Sequence, residues 1–176
     1  MLIPVDGSGL EVGIVSTTPA VDELDTRILE ALTDDPRATV VAIAERTQLS
    51  RNTVQARLNK FERSGVLRTF EHRIDPAALG YPLTAFILAT VTQRKLAAIA
   101  DALNVVPEVV EVHGLAGATD LLIHVVAREA DDLYRVAGRI LAIDGVEKTT
   151  TALVMRELVG YRLTGLLRNR AAAGPR

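Results

Sequence analysis

Apolar residues in the first half of the chain recur at helical spacing, in three short blocks. Leu24, Ile28 and Leu32 follow i, i+4, i+8 with Ala31 beside them, and Asp22 stands where an N-cap is needed. Thr39 precedes Val40-Val41-Ala42-Ile43-Ala44-Glu45-Arg46, a second short helix. Only Thr47-Gln48-Leu49 separate it from Ser50, so the next helix must cross it sharply. That third helix opens on Ser50 as cap, turns Val54, Leu58 and Phe61 to one side and stops at Gly65. Val66-Leu67-Arg68-Thr69-Phe70 and Glu71-His72-Arg73-Ile74 then read as two short strands, a wing.

After Pro76, Gly80 and Pro82 the rhythm changes. Strands are expected over 82–91, 109–114, 121–127 and 146–155, and helices over 95–103 and 130–141, giving β-α-β-β-α-β, the ferredoxin-like plan. Phe86, Leu88, Val110, Val112, Leu122 and Val125 alternate with other apolar residues such as Ile87 and Val109. With helices on one face only, such a sheet needs a second cover, so the pattern predicts an obligate dimer. Leu158 to Leu163 is expected to add a short strand. The fold class is therefore α+β, an N-terminal winged helix-turn-helix followed by a ferredoxin-like domain. Its parts are a flexible leader over 1–20, the helical domain over 21–75, a linker over 76–81, the sheet domain over 82–163 and a tail over 164–176 frayed at its end. Leader and tail could instead order against a partner.

The polar side of the third helix carries Arg51, Asn52, Gln55 and Asn59 on one stripe. A helix-turn-helix places the first turns of such a stripe in the major groove, where Arg reads guanine and Asn or Gln reads adenine through paired hydrogen bonds. Charge agrees. Residues 1–36 hold eight Asp or Glu against one Arg, residues 37–73 eight Lys or Arg against three acids, and the remainder eleven of each, so the net −2 hides a basic segment. Ser50, Arg51, Asn52, Thr53, Gln55, Ala56 and Asn59 are the expected DNA-facing set on the helix, with Arg37 also at the DNA and Lys60 and Arg68 toward phosphates. Arg57, between the buried and exposed stripes, fits a phosphate contact and a tie to Glu45 or Asp25 equally.

No cysteine is present, which excludes disulfides, thiolate metal sites and cysteine nucleophiles and suits a reducing cytoplasm. His72, His113 and His124 are widely separated, without metal-ligand spacing, so no metal is expected. Met1 to Val5 has no basic lead and meets Asp6 and Gly7 at once, unlike a signal peptide or membrane span. No nucleophile–base pair or phosphate loop appears, so neither an enzyme nor a cofactor is expected.

The ordered run Val21-Asp22-x-x-Asp25-x-x-Ile28-Leu29, Arg37-x-Thr39, Ile43-Ala44, Leu49-Ser50-x-x-Thr53-Val54-x-x-Arg57-Leu58, Gly65-Val66-Leu67 and Asp75-Pro76-x-x-Leu79-Gly80 resembles the Lrp/AsnC (feast/famine) family of transcription regulators. The resemblance covers roughly residues 21–163. It implies binding to double-stranded DNA, a homodimer assembling into a tetramer of dimers (an octamer), and an effector held between dimers that is an amino acid or related small metabolite. The family's Gly-x-x-Asp corresponds to Gly117-Ala118-Thr119-Asp120, with Leu115 and Thr119 as neighbours shaping the pocket. Glycine lets amides approach a carboxylate, and aspartate offers an anion to an α-ammonium group. Read from the residues alone, the same four positions make a tight turn with Asp120 as its cap. The chain departs from the common pattern in lacking an aromatic residue beside Asp120 and in carrying Gln48 where the family often has glycine. If that turn needs positive φ, Gln48 costs about 1 kcal/mol. Two rival functions are an effector-free architectural DNA-binding protein and a regulatory subunit of an amino-acid enzyme.

Overall fold

The computed structural model describes residues 21–172, so the expected leader and the last four residues of the tail lie outside the described residues. It divides into two compact units, one holding residues 73–158, the other residues 21–72 together with 159–172.

In the helical unit, α1 (Glu23–Asp34), α2 (Val40–Thr47) and α3 (Arg51–Arg63) pack around Ile28, Ala31, Ile43, Ala44, Val54 and Phe61. All three expected caps form. The Asp22 carboxylate accepts from Asp25 N at 2.7 Å while Asp22 N donates to Asp25 at 3.1 Å, a reciprocal capping box. Thr39 caps α2 through Ala42 N, and Ser50 caps α3 through Thr53 N. Gln48 closes α2 with φ 55°, so the turn does take the left-handed conformation in which glutamine carries a cost. The buried face of α1 runs through Asp25, Thr26, Ile28 and Ala31, while Leu24 and Leu32 lie half-buried at its margins.

The two wing strands do not form. Val66 N and Leu67 N both donate to Phe61 O, folding the chain back under α3, and both side chains pack on the helical core rather than alternating in and out. Phe70–Arg73 then closes a single 3₁₀ turn, His72 N to Thr69 O. A hairpin needs both its edges free to pair, and here the first has already been drawn into the core.

The second unit is the expected βαββαβ. β1 (Leu83–Val91), α4 (Leu96–Asn104), β2 (Val109–Gly114), β3 (Leu121–Ala127), α5 (Ala130–Leu141) and β4 (Val146–Leu153) give an antiparallel sheet of order β2-β3-β1-β4. Ala85, Ile87, Ala89, Leu121, Ile123 and Val125 face Ile99, Leu103, Val136 and Ile140 of the helices. Gly145, φ 99°, brings β4 against α4 so closely that a Cβ would stand 2.9 Å from Lys95 Cδ and 3.1 Å from Ile99 Cδ1.

The opposite face differs from expectation. A bulge between Val109 and Glu111 shifts β2, so Val112 pairs with Ile123 on the helix-covered side. Val125, three residues after Leu122 in β3, lies on that side as well, paired with Ala85. The outer face instead carries Phe86, Leu88, Leu122 and His124 beside Glu111, His113, Thr150 and Lys148. Phe86 and His124 stack at 4.9 Å between ring centroids.

Leu158–Leu163 forms no strand, and much of the expected tail is helical: α6 spans Thr164–Ala172. A strand there would need a free sheet edge, and the segment instead runs into the helical unit, where α6 lies on α1. Among the described residues, no helix is long and apolar enough to cross a membrane.

Candidate nucleic-acid interface and effector loop

The polar stripe of α3 is exposed, as its sequence implies. Arg51, Asn52, Gln55, Ala56 and Asn59 are exposed on α3, with Ser50 exposed at its cap and Thr53 half-buried. Gln55 Nε2 donates to Asn59 Oδ1 at 2.9 Å, so these two amides hold one another in place on the open surface. Arg37 and Arg68 are exposed outside the helix.

Arg57 and Lys60 point elsewhere. The Arg57 guanidinium donates to both Asp22 and Asp25, the latter at 2.7 Å, and Lys60 Nζ reaches Asp25 at 3.1 Å. Asp25 is fully buried, and its two carboxylate oxygens collect Arg57, Lys60 and the Asp22 amide. Partial desolvation pushes the Asp22 carboxyl up, but hydrogen bonds from Asp25 N and Arg57, with the Arg57 and Lys60 charges, outweigh it and leave its pKa lowered. The same hydrogen bonds from the acidic side raise Arg57. Of the two ties open to Arg57 in sequence, the one to Asp25 forms. Asp22 joins it, a partner that sequence reasoning missed although its position beside Asp25 in the capping box could have suggested it. Lys60, expected at a phosphate, is drawn inward by the same acid.

The loop between β2 and β3 holds Leu115, Gly117, Ala118, Thr119 and Asp120 together. Leu115 N donates to Asp120 O at 2.7 Å and Asp120 N to Ala89 O at 2.9 Å. The Asp120 carboxylate accepts from Val91 N at 2.8 Å and from Gln93 Nε2 at 2.6 Å, so it pins the end of β1. Gly117 and Ala118 are exposed, Thr119 half-buried, Leu115 39% exposed. Nothing lies within 4 Å of a Cβ built on Gly117, and its φ is not positive, so the fold of one protomer does not demand glycine there. Gln93 is a residue sequence reasoning missed, because the contact closes only when β1 and β3 pair.

Among the described residues no group of three His, Cys, Asp or Glu lies close enough together to hold an ion. His113 sits 3.2 Å from Glu111. His124 Nε2 is buried without a hydrogen-bond partner, and burial, with a further push from His113 against the pull of Glu111, lowers its pKa.

Two family models match this chain, a winged helix-turn-helix DNA-binding domain over residues 21–68 and the Lrp/AsnC ligand binding domain over 84–163. The HTH-type transcriptional regulator FL11 of Pyrococcus horikoshii is 35% identical over 136 residues, 77% of this chain and 90% of that protein. The chain belongs to the Lrp/AsnC family. The HTH-type transcriptional regulator AldR of Mycolicibacterium smegmatis is likewise 35% identical, over 80% of this chain and 84% of that one. Among solved structures, the feast or famine regulatory protein Rv3291c from M. tuberculosis, complexed with L-methionine, superposes with a TM-score of 0.71 at 28% identity, covering 81% of this chain and 97% of that one. As a member of this family the chain is a DNA-binding transcriptional regulator with a ligand-binding domain, and not an enzyme.

Proposed function

We propose that this regulator reads base edges with Arg51, Asn52, Gln55 and Asn59, with Ser50, Thr53 and Ala56 against the groove wall and Arg37 and Arg68 nearby on the DNA, and that it answers to a small or apolar α-amino acid or a related metabolite. The exposed polar stripe on a capped α3, free of the apolar residues that bury its other side, carries the DNA assignment. Arg57 and Lys60 serve the stripe from behind by locking α3 to α1. The effector reading places the ammonium group at Asp120 and the carboxylate on the amides of Gly117 and Ala118, with Leu115 and Thr119 bounding the side chain. The chemistry of the loop and the L-methionine in the Rv3291c structure support it. Phe86, Leu88 and Leu122 on the uncovered sheet face favour a homodimer through that face, with octamers built from dimers around the loops, in the cytoplasm.

One observation favours a second reading. Asp120 already accepts two hydrogen bonds within its own protomer, as it would in a purely structural turn, and an effector-free architectural protein would keep it so. Footprinting upstream of the protein's own gene, with calorimetric screening of the twenty amino acids, separates the two. A protected site and at least one amino acid that binds and alters that protection are expected. Uniform coverage of DNA with no bound amino acid would establish the architectural reading instead.

A further inference from the structure

The family match ends at residue 163, and α6 begins at Thr164. This helix packs on α1, yet among its side chains described only Leu167 is even half-buried, and Leu166 is 67% exposed. Apolar burial therefore does little to hold it. Arg170 holds it instead: Nη2 and Nε donate to Val21 O at 3.0 and 3.3 Å, a planar fork on one carbonyl. Val21 immediately precedes Asp22, whose carboxylate caps α1 and accepts from Arg57 of α3, with Asp25 taking Arg57 and Lys60 beside it. A continuous polar path thus runs from the C-terminal helix, through the first turn of α1, to the back of the recognition helix.

We infer that α6 is a working part of the DNA-binding unit and that Arg170 is a positioning residue for base recognition. By fixing the carbonyl just before the capping box, it fixes where Asp22 and Asp25 stand. Those acids set the roll of α3, and hence where Arg51, Asn52, Gln55 and Asn59 meet base edges. Base reading tolerates displacements of only about 0.5 Å, whereas attraction to phosphates tolerates much more. Loss of Arg170 should therefore degrade discrimination more than affinity. This rests on the reading of α3 as the base-contacting helix.

The test uses full-length protein, a duplex that the wild type selects from a random-sequence pool, and a random duplex of equal length. Arg170→Ala and Arg170→Lys should each lower the selected-to-random affinity ratio about tenfold, with random-duplex affinity changing less than about twofold. Lysine keeps the charge but not the fork, so its failure to rescue separates positioning from a phosphate contact. Because Arg170 acts through Arg57, the Arg57→Ala/Arg170→Ala double variant should lose no more discrimination than the worse single variant. Hydrogen exchange of α1–α3 checks that each variant is folded. An unchanged ratio in Arg170→Ala, or rescue by lysine, would overturn the inference. A wild type that selects no sequence would overturn the DNA reading along with it, whereas equal discrimination by wild type and variants overturns the inference alone.

Discussion

The polar stripe on α3 and the loop at 115–120 are both short polar segments with a charged residue, yet one leaves its charge exposed and the other turns its charge back into the fold. Arg51 and Asn52 stand exposed on a rigid helix whose reverse side is fastened by Asp22 and Asp25. Asp120, by contrast, spends its carboxylate on Val91 and Gln93, and the glycine beside it faces open space. A site that must meet a large external surface can be completed by one helix and its supports. A pocket for a molecule the size of an amino acid needs walls on several sides, and a single exposed turn has too few.

The largest effect should come from removing what fastens the stripe. Asp25→Ala leaves Arg57 and Lys60 without their buried acid and should destabilise the helical unit by about 2–3 kcal/mol, less than a fully buried pair because both cations are partly exposed. Hydrogen exchange should show α1–α3 exchanging faster while the sheet retains its protection. A loss spread equally over both units would mean that the acid does not act locally.

Next comes the stripe itself. Arg51→Ala should lose about 1–3 kcal/mol at particular base pairs, measured by affinities for single-base operator variants. Lys60→Ala should weaken specific binding more than random binding through the packing of α3, without altering the salt slope, since its ammonium is bonded to Asp25. A slope reduced by about one for Lys60→Ala would return that residue to the phosphate backbone.

Asp120→Asn tests the loop more finely than alanine, because the amide still offers an oxygen to Val91 N while losing the charge. Effector affinity should fall about tenfold with the melting temperature nearly unchanged, as read by calorimetry and thermal denaturation. A fall in stability with effector affinity intact would make Asp120 a structural cap only.

The smallest effect is a gain. Gln48→Gly relieves a left-handed backbone at φ 55° and should stabilise the helical unit by somewhat less than about 1 kcal/mol, since glycine also frees the unfolded chain. Denaturant unfolding would detect it, and a loss would show that the Gln48 side chain does more than cover the turn.

Local chemistry accounts for what the sequence alone determined. Caps at Asp22, Thr39 and Ser50, apolar spacing in α1–α3 and the order βαββαβ depend on residues a few positions apart, and all were legible without coordinates. So was the exposed stripe on α3. Tertiary structure decided what hinges on distant partners. The bulge at Val109–Glu111 chose which face Val112 takes, because one added residue reverses alternation and no local pattern announces it. Val66 and Leu67 joined the helical core instead of a wing, because apolar residues after a helix satisfy either fate until a surface competes for them. Arg57 and Lys60 turned toward Asp25, and Arg170 reached Val21 across 149 positions of sequence, because a charge on a long side chain goes to whichever partner folding brings within reach.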